Sequence, residues 1–164
     1  MLRPATVAFL AAVGGSTVSL ACGEKKAEPT PEKEIPPYIV KLDRSDGFSF
    51  DEHLVVSDLH KASVRFRYRP SEKRGTRRFT LSQAQFDGIT NALAQVDFSG
   101  LRSRYEGSEA SEAVTDSVTY RGRTVVVDET ALKNGSVPQP LASVLSRLNT
   151  LLDSKLATPR NRTP

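Results

Sequence analysis

Residues 62–69 read Ala-Ser-Val-Arg-Phe-Arg-Tyr-Arg, and no other stretch restricts the fold so tightly. Apolar and polar side chains alternate without a slip. In an extended chain that puts Ala62, Val64, Phe66 and Tyr68 on one side and Arg65, Arg67 and Arg69 on the other. The run predicts a half-buried strand, so something else in the chain must cover its apolar side. Pro70 ends it, Glu72 to Gly75 is a loop, and Arg77-Arg78-Phe79-Thr80-Leu81 returns. If the two segments pair, Arg65, Arg67, Arg69, Lys73, Arg74, Arg77 and Arg78 make one basic hairpin.

Two amphipathic helices are available as the cover. Ser82 can accept an amide of the first turn while Gln85 reaches back, a capping box. Phe86, Ile89, Leu93 and Val96 then form one apolar stripe. Nearer the C-terminus, Leu141, Val144, Leu145, Leu148, Leu151 and Leu152 form a second stripe, with Pro138 and Pro140 confined to its first turn. Further strands are expected at Tyr38–Asp43, with Tyr38, Val40 and Leu42 on one face, and from Phe48 through Val56 after the turn residues Arg44-Ser45-Asp46-Gly47. Ser117–Tyr120 and Arg123–Val127 read as a hairpin about Arg121-Gly122. Arg102 to Asp116 is polar and acidic and reads as a long loop or a ragged edge. The expected fold is α+β: an antiparallel sheet of about five strands with two helices packed on one face, a two-layer sandwich.

The N-terminus decides where such a body would sit. Arg3 is followed by an uncharged, Ala/Val/Leu/Phe-rich run, Ala5–Ala21, ending on small residues at Cys22, the only cysteine. This is the layout of an export signal with a cleavage site. The run is shorter than the roughly 20 residues of a membrane span and is broken by Gly14-Gly15. Plain secretion would leave Cys22 a free thiol. The segment resembles a bacterial lipoprotein signal, which implies a lipid on Cys22, attachment to the envelope and, in a Gram-negative cell, the outer membrane. The domain plan is then a signal at 1–21, a lipidated Cys22 with a Pro/Glu/Lys-rich tether over 22–37, one domain at 38–153, and a disordered tail at 154–164. The tether composition cannot bury enough apolar surface to order itself. Fully extended it would span roughly 45 Å. With one cysteine no internal disulfide can form, so packing alone must hold the domain.

Over most of 38–153 the elements resemble the emfourin-like domains, small bacterial inhibitors of thermolysin-type metalloproteases. The matching stretches are Ile39-Val40 leading to Gly47-Phe48, Leu81 to Tyr105, Thr119-Tyr120 to Val127, and Pro140 to Leu152. The resemblance implies the fold and a protein partner, a protease. It carries no inhibitory residue onto this chain.

Motifs for chemistry are missing. No G-x-S-x-G elbow and no phosphate-binding G-x-x-x-x-G-K-[ST] loop occurs. His53 and His60, near Asp51, Glu52 and Asp58, lack the close spacing and further ligands of a zinc site. Glu106, Glu109 and Glu112 lie in a polar Gly/Ser-rich run and read as a solvated loop. No cofactor, metal or catalytic residue is expected. The formal charge of +4 becomes +3 without the signal, which holds only Arg3, and so mild a balance does not call for nucleic acid. What stands out is the basic hairpin, with Arg65, Arg67, Arg69, Arg74, Arg77 and Arg78 as candidate anion-binding residues. Against that stands a plainer role, arginines that keep a strand soluble and discourage edge-to-edge pairing. The expectation is a non-enzymatic envelope lipoprotein that binds a protein, a protease by the resemblance. The alternative is a module that binds lipid head groups or polysaccharide through the hairpin.

Overall fold

The computed structural model describes residues 37–107 and 114–156, which form a seven-stranded sheet and three helices. The expected signal, Cys22, nearly all of the tether, Glu109, Glu112 and residues 157–164 lie outside the described residues. Four strands come first: β1 (Tyr38–Ser45), β2 (Phe50–Ser57), β3 (Lys61–Tyr68) and β4 (Lys73–Thr80). Helix α1 (Gln83–Ala94) follows, then β5 (Arg104–Tyr105), β6 (Thr115–Tyr120), β7 (Arg123–Asp128), α2 (Glu129–Lys133) and α3 (Gln139–Lys155). The sheet order is β4-β3-β2-β1-β6-β7-β5. All neighbours pair antiparallel except β5 and β7, which run parallel.

The class is α+β as expected, with seven strands in place of about five and three helices in place of two. The elements the sequence did not suggest are short: β5 has two residues and α2 five. Neither is long enough for a hydrophobic period to show. β6 also begins at Thr115, inside the run expected as loop. The last helix runs to Lys155 and Leu156 is buried, so ordered structure passes the expected domain end at 153.

One face of the sheet carries the core. Val40 and Leu42 of β1, Leu54 and Val56 of β2, Ala62, Val64 and Phe66 of β3, Val118 of β6, and Val125 and Val127 of β7 are all buried. Register aligns them: Leu42 lies opposite Leu54 on one side and Val118 on the other. Ile89 and Leu93 of α1 and the six Leu and Val residues of the α3 stripe join the same cluster. Phe86, expected in the core, is only partly buried and stacks on the His60 ring with centroids 3.9 Å apart.

The local signals act as their chemistry requires. The Ser82 hydroxyl accepts the Gln85 amide at 3.3 Å and the Gln85 side chain accepts the Ser82 amide at 3.0 Å, closing the capping box. Arg121 and Gly122 both take positive φ, 49° and 77°, the pair of left-handed residues that a two-residue hairpin turn needs.

Candidate binding surface

The strand at 61–68 alternates as its sequence demands, and β4 returns beside it. In the antiparallel register Arg67 faces Arg74, Arg65 faces Thr76, and Ser63 faces Arg78. Residues directly opposite share a face. Arg65, Arg67, Arg74 and Arg78, with Lys61, therefore project from the outer face, away from the core, and all are exposed. The hairpin exists, but two of its arginines turn elsewhere. Arg77 pairs with Val64, on the inner side, and its guanidinium donates to the Lys155 carbonyl at the end of α3. There it meets the negative end of the helix dipole. Arg69 lies past the end of β3 and reaches the β1–β2 loop, donating to the carbonyls of Gly47 and Phe48 and pairing with Asp51 at 2.8 Å.

Arg67 and Arg74 are left facing each other. Side chains so placed have Cβ atoms about 5 Å apart, and like charges there repel. The acid next in register is Asp51, opposite Arg67 on β2. Its carboxylate is already engaged by Arg69 and by the Ser45 hydroxyl at 3.1 Å. Among the described residues, neither Arg67 nor Arg74 has an ion pair or a side-chain hydrogen bond.

The β1–β2 loop adjoins this end of the hairpin. One oxygen of Asp46 accepts the amides of Phe48, Ser49 and Phe50 at 3.0, 2.7 and 3.1 Å. Slight burial pushes the Asp46 carboxyl up, but those amides and the Ser49 hydroxyl together hold it below its ordinary value. The Gly47 amide donates to the Ser45 hydroxyl at 2.9 Å, and Gly47 takes φ 79°, open to glycine at no steric cost. The capture of three successive amides by Asp46 is why β2 begins at Phe50 and not, as the alternation suggested, at Phe48. Phe48 is instead left 70% exposed, the most open of the large apolar side chains among the described residues.

Beneath that loop, on the inner face, lies a charged cluster the sequence reading missed. Arg44 is flanked across the strands by Glu52 on β2 and Asp116 on β6. Their relative exposures are 6%, 0% and 5%. The guanidinium of Arg44 comes within 3.5 Å of Asp116 and bonds Asn149 and Asp153 of α3 at 3.3 and 3.4 Å. Asn149 donates to Asp116 at 2.6 Å, and the Tyr68 hydroxyl to Glu52 at 3.0 Å. The signal was present as parity: Arg44 continues Val40 and Leu42, Glu52 leads into Leu54 and Val56, and Asp116 precedes Val118. The cluster ties α3 to the strand ends that carry the loop.

The remaining candidates separate. His53 meets Asp43 across β1 and β2 at 2.6 Å, while His60 stacks on Phe86. Among the described residues no three His, Cys, Asp or Glu side chains gather as a metal would need. Glu106 pairs with Arg104. A groove of about 470 Å³ runs between α1 and α3 over Ile89 and Leu151, and Arg147 is its one ionisable lining residue. Compared with known proteins, the chain matches no family model and no curated protein.

Proposed function

We propose that this chain is a non-enzymatic binding module of the cell envelope, held by a lipid on Cys22, and that its ligand is anionic. The observation that carries this reading is the Arg67–Arg74 pair. Two cations set opposite each other on an exposed surface oppose folding slightly, and an anion between them would remove the cost. In this reading α1 and α3 both cover the inner face, a two-layer arrangement that leaves the outer face to the ligand. Arg65, Arg78 and Lys61 extend the basic field, whereas Arg69 and Arg77 serve the fold. The segment Glu34–Pro164 is one compact unit that contains the whole core, so it can be tested alone. It should be retained on immobilised dextran sulfate at low salt, and the double variant Arg67→Gln/Arg74→Gln should elute markedly earlier. Equal retention of the two would refute the assignment. Anchoring is tested separately: Cys22→Ser should release the protein from membranes or leave the precursor uncut, and an unchanged membrane fraction would exclude the lipid.

A second reading, a protein-binding module that inhibits a thermolysin-type protease, is supported by the hydrogen-bonded, exposed Gly47-Phe48 loop. Aromatic side chains held in advance are efficient anchors for a partner's pocket. Inhibition of thermolysin by the segment, lost in Phe48→Ser, would select this reading.

A further inference from the structure

We infer that the anionic ligand is a lipid bilayer, and that the Gly47-Phe48 loop enters its headgroup region. This rests on the anion-binding reading and competes with the protease reading for the same loop. Most of the loop's backbone groups find partners within the protein. The amides of Gly47, Phe48, Ser49 and Phe50 donate to Ser45 and Asp46. The carbonyls of Gly47 and Phe48 accept the Arg69 guanidinium, and that of Ser49 accepts the Arg69 amide at 2.8 Å. An exposed loop in water has no need of this, because solvent would serve each group. A loop that passes into a bilayer interface, where water is scarcer, benefits from it, because a polar group left without a partner there is penalised.

The tip also has the shape and the charged surround for a membrane. A Cβ placed on Gly47 would meet nothing within 4 Å, so the turn projects into open space. Among the described residues Phe48 stands on it without an exposed apolar companion: the other exposed large apolar side chains, Tyr38 and Leu59, lie at the far end of β1 and in the β2–β3 turn. A lone convex aromatic cannot make the roughly 800 Å² face of a stable protein interface. A bilayer interface accepts one at headgroup level, and neighbouring basic side chains gain attraction from anionic lipid. By register Arg67 lies one strand from Asp51 and Arg74 two, roughly 5 and 10 Å across the sheet. Lys73 adjoins Arg74 at the same end. Asp46, Asp51 and Glu72 are the acids there; Arg69 offsets Asp51, and Arg67, Lys73 and Arg74 outnumber the two remaining carboxylates by one, with Arg67 and Arg74 on the outer face and Lys73 opposite Tyr68.

The chain has no tryptophan, so Phe48→Trp in the Glu34–Pro164 segment supplies a unique depth probe. Vesicles of equimolar phosphatidylglycerol and phosphatidylcholine at low salt should shift its emission to the blue, and brominated acyl chains should quench it. Phosphatidylcholine alone should do neither. In sedimentation with the mixed vesicles, Phe48→Ser and Arg67→Gln/Arg74→Gln should each weaken binding about tenfold or more, while Phe48→Leu keeps most of it. Thermal unfolding of each variant checks the fold, which an exposed side chain should not disturb. Binding that needs the arginines but leaves the tryptophan unshifted and Phe48→Ser unaffected would overturn insertion and spare the anion-binding reading. Retention on dextran sulfate without vesicle binding would overturn the bilayer as ligand. Loss of both would overturn both readings, and Phe48-dependent thermolysin inhibition without vesicle binding would assign the loop to a protein pocket.

Discussion

Arg44 and Arg67 lie on opposite faces of one sheet and are treated in opposite ways. Arg44 faces inward, 6% exposed, between two carboxylates, with an Asn and an Asp of α3 completing its surround. Arg67 faces outward, opposite another arginine, and the nearest acid in register is engaged elsewhere. The difference follows from solvent. A buried guanidinium without counter-charges would cost several kcal/mol, so the inner face had to supply them. An exposed one is hydrated and can be left unanswered at little cost. Charge at the Arg44 cluster is thus explained by the fold, and the Arg67–Arg74 pair on the outer face is not, which makes that pair the place to look for a ligand.

The inner half of that contrast makes the largest prediction. Arg44→Met leaves Glu52 and Asp116 buried around an apolar side chain and should destabilise the domain by about 3–5 kcal/mol in urea unfolding. A loss under about 1 kcal/mol would mean that Arg44 is not what balances those acids. Leu93→Ala, deep between α1 and the sheet, should cost about 2–5 kcal/mol. Removing the α1 cap with Ser82→Ala should cost about 1 kcal/mol.

Acid should act on the loop more gently. The Asp46 carboxyl is held below its ordinary value of 3.8, so its ionised form stabilises the folded state. That contribution is complete above the ordinary value and is lost as pH falls through the lower folded one. Wild type should therefore be more stable than Asp46→Asn at neutral pH, and the two should converge as the solution is acidified below that range. A gap that stays constant with pH would put the stabilisation elsewhere. The smallest effect belongs to the outer face, where Arg67→Gln/Arg74→Gln should shift stability by no more than about 0.5 kcal/mol.

How much of this could be read from sequence follows the same division. Long periodic stretches declared themselves: the β3 alternation, the α1 capping box, the leucine stripe of α3. Each states its own environment through a repeat of 2 or 3.6 residues. The two-residue β5 and five-residue α2 carry too few residues for any repeat. The charged cluster was missed because Arg44 and Asp116 look like turn or loop residues and Glu52 like an ordinary polar strand residue one at a time, and only strand pairing sets them side by side. For the surface, the sequence indicated the hairpin but could not sort its arginines. Arg77 belongs to the inner side because its register partner is Val64, and Arg69 to the loop because β3 ends before it. The exposure of Phe48 rested on which amides Asp46 accepts, which no spacing rule reveals.

As proposed, the outer face of the β3–β4 hairpin binds an anion and contributes almost nothing to folding. The most direct test of this proposal measures both properties on one pair of proteins, the Glu34–Pro164 segment and its Arg67→Gln/Arg74→Gln variant. Unfolding temperatures should agree closely, while binding to dextran sulfate should drop steeply in the variant. Wild-type binding should itself fade as salt rises past about 0.15 M, where the screening length is about 8 Å. Equal binding at low salt, or a large loss of stability in the variant, would contradict it and return these arginines to the role of a solvated strand face.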